Sequence, residues 1–132
     1  MSANPTDPPQ PGTAAAGPAD DDAVIWQTAQ QSRRWLDEQN GHDQQELTMR
    51  ILKISEEVGE VAKAWTGVTG QNPRKGVTHE LQDVADELGD VAFTALVAAA
   101  SLGFDPRQVL AGIASKVRDR LAGLPAVAEV TR

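Results

Sequence analysis

No cysteine occurs in the 132 residues, so disulfides, thiolate metal ligands and a thiol nucleophile are all excluded. Long apolar runs are missing as well. ALVAAA at 95–100 falls far short of the roughly 20 residues of a membrane span. No segment alternates apolar and polar residues as a half-buried strand does. Large apolar side chains are almost absent from residues 1–22, which are rich in Pro, Ala, Gly and Asp. Such a stretch cannot bury enough surface to offset its ordering entropy, and a disordered tail is expected there. It also lacks the basic start and apolar middle of a secretory signal, so a cytoplasmic protein is expected. Basic charge is in deficit. The net charge is −7, and the tail supplies four acids (Asp7, Asp20, Asp21, Asp22) and no base, leaving −3 on the rest. A nucleic-acid binder would carry a basic face, so neither nucleic acid nor membrane is expected as a partner.

What remains is helical in pattern. The expected domain spans 23–124, with a second tail over 125–132. A first helix is predicted from Asp22 to about Glu38, with Val24, Ile25, Trp26, Ala29, Trp35 and Leu36 as apolar positions and Asn40-Gly41 as its stop. Asp43 is placed to cap a second helix running to about Trp65. Its stripe is Leu47, Ile51, Ile54, Val58, Val61 and Trp65, spaced by three and four. The segment TGVTGQNPRKGV, 66–77, is predicted to be a loop. Thr78 is placed to cap a third helix to about Leu102, with Leu81, Val84, Leu88, Val91, Ala95 and Leu102 in its stripe. Asp105-Pro106 suits an N-cap and first helical position, opening a fourth helix that carries Val109, Leu110, Ile113, Val117 and Leu121 to about Gly123. The fold class predicted is an all-α, four-helix bundle.

One pattern is written twice. SEEVGEVA at 55–62 returns as ADELGDVA at 85–92. Adjacent carboxylates repel, and a helical Gly costs about 1 kcal/mol relative to Ala. At 100° per residue, Glu57 and Glu60 fall on one flank of the second stripe, roughly 70° and 130° from its centre, with Glu56 nearly opposite. Glu87 and Asp90 fall at nearly the same angles on the third helix, with Asp86 opposite. If the two helices form an antiparallel hairpin, the motifs differ in height by only about 3 Å. Four carboxylates meeting there require protons or shared cations. Oxygen-only donors favour magnesium, manganese or calcium. Gly59 and Gly89 fall on the other flank, and two readings stand: close approach of a further helix or subunit, or simple tolerance.

These residues resemble the MazG-like nucleotide pyrophosphohydrolases of the all-α NTP pyrophosphatase superfamily. The likeness lies in LKISEEVGEVAKAW (52–65) and ELGDVAFTALVAAA (87–100), within a span of roughly 24–121. The resemblance implies a four-helix fold completed by dimerisation, as a homodimer or dimer of dimers. It implies magnesium, with manganese as a substitute, held by Glu57, Glu60, Glu87 and Asp90. It implies cleavage of a nucleoside triphosphate between its α- and β-phosphates, giving monophosphate and pyrophosphate. Glu56 matches the family's leading Glu, with three readings open: reaching a second metal, orienting the attacking water, or simple solvent exposure. Lys53, one turn before Glu57, is a candidate for both catalysis and phosphate binding. Lys116, Arg118 and Arg120 are further phosphate-binding candidates. On the first helix, Trp26, Gln30 and Arg33 are candidates for a base pocket, although plain core is the stronger reading of Trp26. Arg74 and Lys75 in the NPRKG loop match no part of the family pattern and stay outside the site.

Two other readings compete. A di-iron carboxylate bundle wants Glu-x-x-His pairs, and neither His42 nor His79 completes one. A catalytically weak nucleotide-binding or regulatory module would keep the fold and bind nucleotide with metal, yet release no pyrophosphate.

Overall fold

The computed structural model describes residues 18–126, with side chains from Asp20 onward. Its element order is α1 (Pro18–Asn40), α2 (Gln44–Thr69), α3 (Leu81–Ser101) and α4 (Pro106–Ala122), and the described residues contain no strand. The class is all-α, as the sequence predicts. No single helix among the described residues is long and apolar enough to cross a membrane.

Local chemistry sets most boundaries. The Asp43 carboxylate accepts from the Glu46 backbone N–H at 2.9 Å and opens α2. Asp105 does the same for Arg107 at 3.0 Å and, with Pro106 as first residue, opens α4. Three boundaries differ from the sequence reading. First, α1 begins at Pro18, so 18–22 of the expected tail is helical; a proline suits a first helical position, and Asp20 and Asp21 lie in the first turn, where carboxylates favour the helix dipole. Residues 1–17 and 127–132 of the expected tails lie outside the described residues. Second, α2 runs one turn past Trp65 and stops at Gly70, whose φ of +62° suits glycine. Third, α3 is capped at Glu80, not Thr78. The Asp83 carboxylate accepts from the Glu80 backbone N–H at 2.7 Å. Thr78 is engaged elsewhere: its N–H donates to the Gly67 carbonyl at 2.9 Å, and its hydroxyl lies 2.9 Å from His79 Nδ1.

Helix α3 is the central element. It packs along α2 as an antiparallel partner, takes α1 on its C-terminal half, and touches α4 near their junction. The buried cluster is Ala29 of α1 with Leu96 and Val97 of α3, ringed by Trp26, Leu36 and Phe93. Ala64, Ala98 and Ala100 are also buried, and such small side chains let helices approach closely. Contact between α1 and α2 is slight. Their ends are tied through Arg50, only 6% exposed. Its guanidinium donates to Asp37 of α1 (2.8 Å), Glu46 of α2 (3.1 Å), Ser101 of α3 (3.1 Å) and the Gly41 carbonyl (2.7 Å).

The predicted stripes are only half used. Ile54, Val61, Val84 and Val91 are half-buried along the α2–α3 seam. Ile51, Val58, Trp65, Leu81, Leu88 and Leu102 are exposed. So are Val109, Leu110, Ile113, Val117 and Leu121 along α4. Helix α4 leaves α3 at 116°, so among the described residues its apolar row has no helix to lie against for most of its length.

Candidate metal centre

The α2–α3 hairpin brings the two copies of the acidic pattern level. Glu57, Glu87 and Asp90 each offer a carboxylate oxygen, and the three oxygens lie within 4.8 Å of one another. Glu57 and Glu87 are half-buried and Asp90 is exposed. Glu60, one turn beyond Glu57, stands outside this trio and is exposed. It is still close enough to act on Glu87. The Glu87 carboxyl is pushed above its usual value, first by partial desolvation and then by the charges of Asp90, Glu60, Glu57 and Asp86. A cation among these oxygens would reverse that repulsion. The donors are all hard oxygens, so the set fits magnesium or manganese better than a thiolate- or imidazole-seeking metal.

Lys53 is the nearest cation on the same face of α2. Its ammonium pairs with Glu56 at 2.9 Å and with Glu57 at 3.3 Å. Glu56 first, then Glu57, hold it above the usual lysine value. Glu56 is largely exposed and stands outside the trio of oxygens, linked to it only through Lys53. The other predicted site residues fall elsewhere. Trp26 and Gln30 line a cavity of about 400 Å³ with Asp105, Pro106 and Arg107 at the start of α4. Arg33 pairs with Asp37 at 3.0 Å and lines a neighbouring cavity with Gln30, His42 and Ser101. The Trp26 indole N–H is buried with no hydrogen-bond partner among the described residues. Lys116 and Arg120 lie on the exposed length of α4 and form no ion pair among the described residues. Arg118 pairs with Asp119 at 3.9 Å.

A larger cleft of about 820 Å³ opens between α1 and α2 and takes in Lys53 and Glu56. Its α1 wall carries Trp35, which the sequence reading placed among ordinary apolar positions. The missed signal is that Trp35 falls outside the Trp26–Ala29–Leu36 row that packs on α3.

The antiparallel carboxylate pairs, the loop between them and the helix that follows form one contiguous segment. Residues 44–123, more than half of the chain, match the profile of the MazG nucleotide pyrophosphohydrolase domain. Neither the curated proteins nor the solved structures gave a match. With α2, α3, α4 and every carboxylate of the candidate centre inside the matched segment, the chain belongs to the MazG nucleotide pyrophosphohydrolase domain family.

Proposed function

We propose that this chain is a magnesium-dependent nucleoside triphosphate pyrophosphohydrolase, converting a (deoxy)nucleoside triphosphate and water to the monophosphate and pyrophosphate. One observation carries the reading: Glu57 from one helix and Glu87 and Asp90 from the next converge to within 4.8 Å, an arrangement that is electrostatically unfavourable without a cation. Bound magnesium, or manganese in its place, would offset phosphate charge and lower the pKa of an attacking water. Glu57, Glu87 and Asp90 would hold it, with Glu60 joining from the adjacent turn. Lys53, which pairs with Glu56 and Glu57, would leave these carboxylates and meet a phosphate oxygen, and Glu56 would then be free to accept a proton from water. Lys116 and Arg120, which form no ion pair among the described residues, would be the cations that meet the departing pyrophosphate. The reading includes a homodimer or dimer of dimers, supported by the unpartnered apolar rows of α2, α3 and α4.

The test is pyrophosphate release from a panel of nucleoside triphosphates with magnesium or manganese. Glu60→Gln and Asp90→Asn should each reduce turnover by at least the roughly 10–100-fold cost of losing a group that merely supports a metal ligand. Both should keep wild-type helicity. Nucleotide binding by the wild type without pyrophosphate release would instead identify a binding module.

A further inference from the structure

We propose that Lys53 is a displaceable internal counter-ion of the metal centre: it holds Glu57 until a divalent cation claims that carboxylate, and its release then links metal binding to phosphate binding. This rests on the pyrophosphohydrolase reading above. Three observations lead to it. The first is shared membership. Glu57 is one of the three carboxylates that converge to within 4.8 Å, and it is also a partner of the Lys53 ammonium at 3.3 Å. One side chain thus faces two kinds of cation. Lys53 reaches no further, for it forms no ion pair with Glu87 or Asp90 among the described residues. A single positive charge at one edge leaves most of the repulsion within the trio standing. A divalent ion carries twice the charge and can meet all three carboxylates, so Lys53 is the cation that gives way.

The second observation is how loosely Lys53 is held. It precedes Glu57 by four residues, and Lys before Glu is the weaker of the two orders for such a pair on a helix. Its side chain is 47% exposed, so water screens the pair. An ammonium is also a point charge, without the fork by which an arginine clamps a carboxylate through two bonds. Glu56, three residues on and 2.9 Å away, keeps the ammonium beside the helix when Glu57 is withdrawn. The grip is firm enough to compete with a dilute cation and weak enough to yield.

The third observation is where a released ammonium can go. Lys53 and Glu56 line the large cleft between α1 and α2, so open space adjoins the pair. Lys53 is one turn from Glu57, roughly 6 Å along α2. A phosphate held beside the trio would lie within the sweep of its flexible four-carbon stem. Lys53 therefore answers to two charges, repelled by the cation at Glu57 and attracted by the phosphate. Cation and phosphate are coupled through it, and by reciprocity each strengthens the binding of the other.

The experiment is titration of the full chain with manganese alone, at physiological salt and without nucleotide, read by the electron-spin signal of the free ion. Lys53→Met keeps an unbranched stem of good helix propensity and removes the charge. It should bind manganese about 3- to 10-fold more tightly than the wild type, and Lys53→Gln should repeat the gain. Lys53→Arg keeps the charge and can clamp Glu57 through two bonds, so it should bind no more tightly than the wild type. Lys63→Met removes an equal charge from the same helix, six residues beyond Glu57. Salt screens charges beyond about 8 Å, so this variant should change the affinity less than about twofold. A second readout follows Lys53 itself. Isotopic dimethylation of the lysines keeps their charge. The resonance missing from Lys53→Arg should move when magnesium alone is added, while those of Lys75 and Lys116 stay in place. Equal manganese affinity in the wild type and Lys53→Met overturns the proposal alone. So does an equal gain in Lys63→Met, which would assign the effect to net charge, and so does a Lys53 resonance that ignores magnesium. No manganese binding by the wild type overturns the proposal together with the function on which it rests.

Discussion

Removing the Arg50 guanidinium would leave two carboxylates, a hydroxyl and a carbonyl short of a donor at the point where α1, α2 and α3 meet. Breaking a buried ion pair from one side typically costs about 3–5 kcal/mol. Arg50→Met should approach that figure in urea unfolding, less what Arg33 still gives Asp37 at 3.0 Å. Asp37 also sets a pH dependence. The hydrogen bond from Arg50 holds its carboxyl below the usual 3.8 against the opposing effect of burial, with Arg33 adding to it. A lowered folded pKa stabilises above the unfolded value and is lost as pH falls through the folded one. Stability should therefore fall on acidification below about pH 4, and Asp37→Asn should flatten that limb of the curve. Glu87 has the opposite sign. Its folded pKa lies above the usual 4.5, so its contribution is present below 4.5 and is lost as pH rises through the folded value. Glu87→Gln should thus raise the Tm of cation-free protein at neutral pH. The same variant should lose the stabilisation that magnesium gives the wild type, about 2.7 kcal/mol at a hundred times Kd. A magnesium response as large in Glu87→Gln as in the wild type would remove Glu87 from the site.

At the scale of elements, the α2–α3 connection closes through one glycine. A Cβ on Gly67 would press into the His79 ring and come within 2.6 Å of Thr78 Oγ1. Gly67→Ala should cost about 1–3 kcal/mol as an overpacking substitution. His79→Ala in the same chain should return part of it, which a double-mutant cycle would measure as a coupling. A purely additive result would show that His79 is not what meets the new methyl group. This contact also explains which parts of the fold were legible in the sequence. The caps at Asp43 and Asp105 and the stops at Gly41 and Gly103 are local chemistry, and local chemistry can be read from neighbours in the chain. Thr78 has equally good capping chemistry, but the packing of residues 78 and 79 on Gly67 draws it away and leaves the start of α3 to Glu80 and Asp83. The meeting of Glu57 with Glu87 and Asp90 followed from helical angle and height alone. Which face of α1 looks toward α2 did not, because Trp26 and Trp35 lie on different faces and only the docking of α1 on α3 decides between them.

At the scale of the whole molecule, the described residues bury too little of the apolar surface they carry. Among the described residues, the apolar side chains that are fully inside are Leu96, Val97 and four alanines, and no large side chain is completely enclosed. Outside them, Val58 and Leu88 are more than half exposed beside the carboxylate trio, and Leu81 is 68% exposed at the loop end of the hairpin. At about 25 cal/mol per Å² of apolar surface removed from water, rows of this kind stabilise strongly once covered and not at all while bare. Within α2 and α3 the seven-residue spacing sorts them. Ile54 and Val61 face Val84 and Val91, while Ile51, Val58 and Trp65 keep the same spacing on the next row and look outward. A second hairpin laid on that row would complete a four-helix core, and Gly59 and Gly89, with open space where a Cβ would stand, place no side chain in its way. If folding and association are linked in this manner, Tm must rise with protein concentration. Trp65→Arg on α2 and Ile113→Arg on α4 should each shift sedimentation toward the monomer and lower Tm, because each would put a charge into surface that the proposed dimer covers. The two variants also separate the contributions of the rows. Dissociation by Trp65→Arg alone would limit the interface to the hairpins, dissociation by both would bring α4 into it, and a wild type that sediments as a monomer with a concentration-independent Tm would refute the dimer altogether.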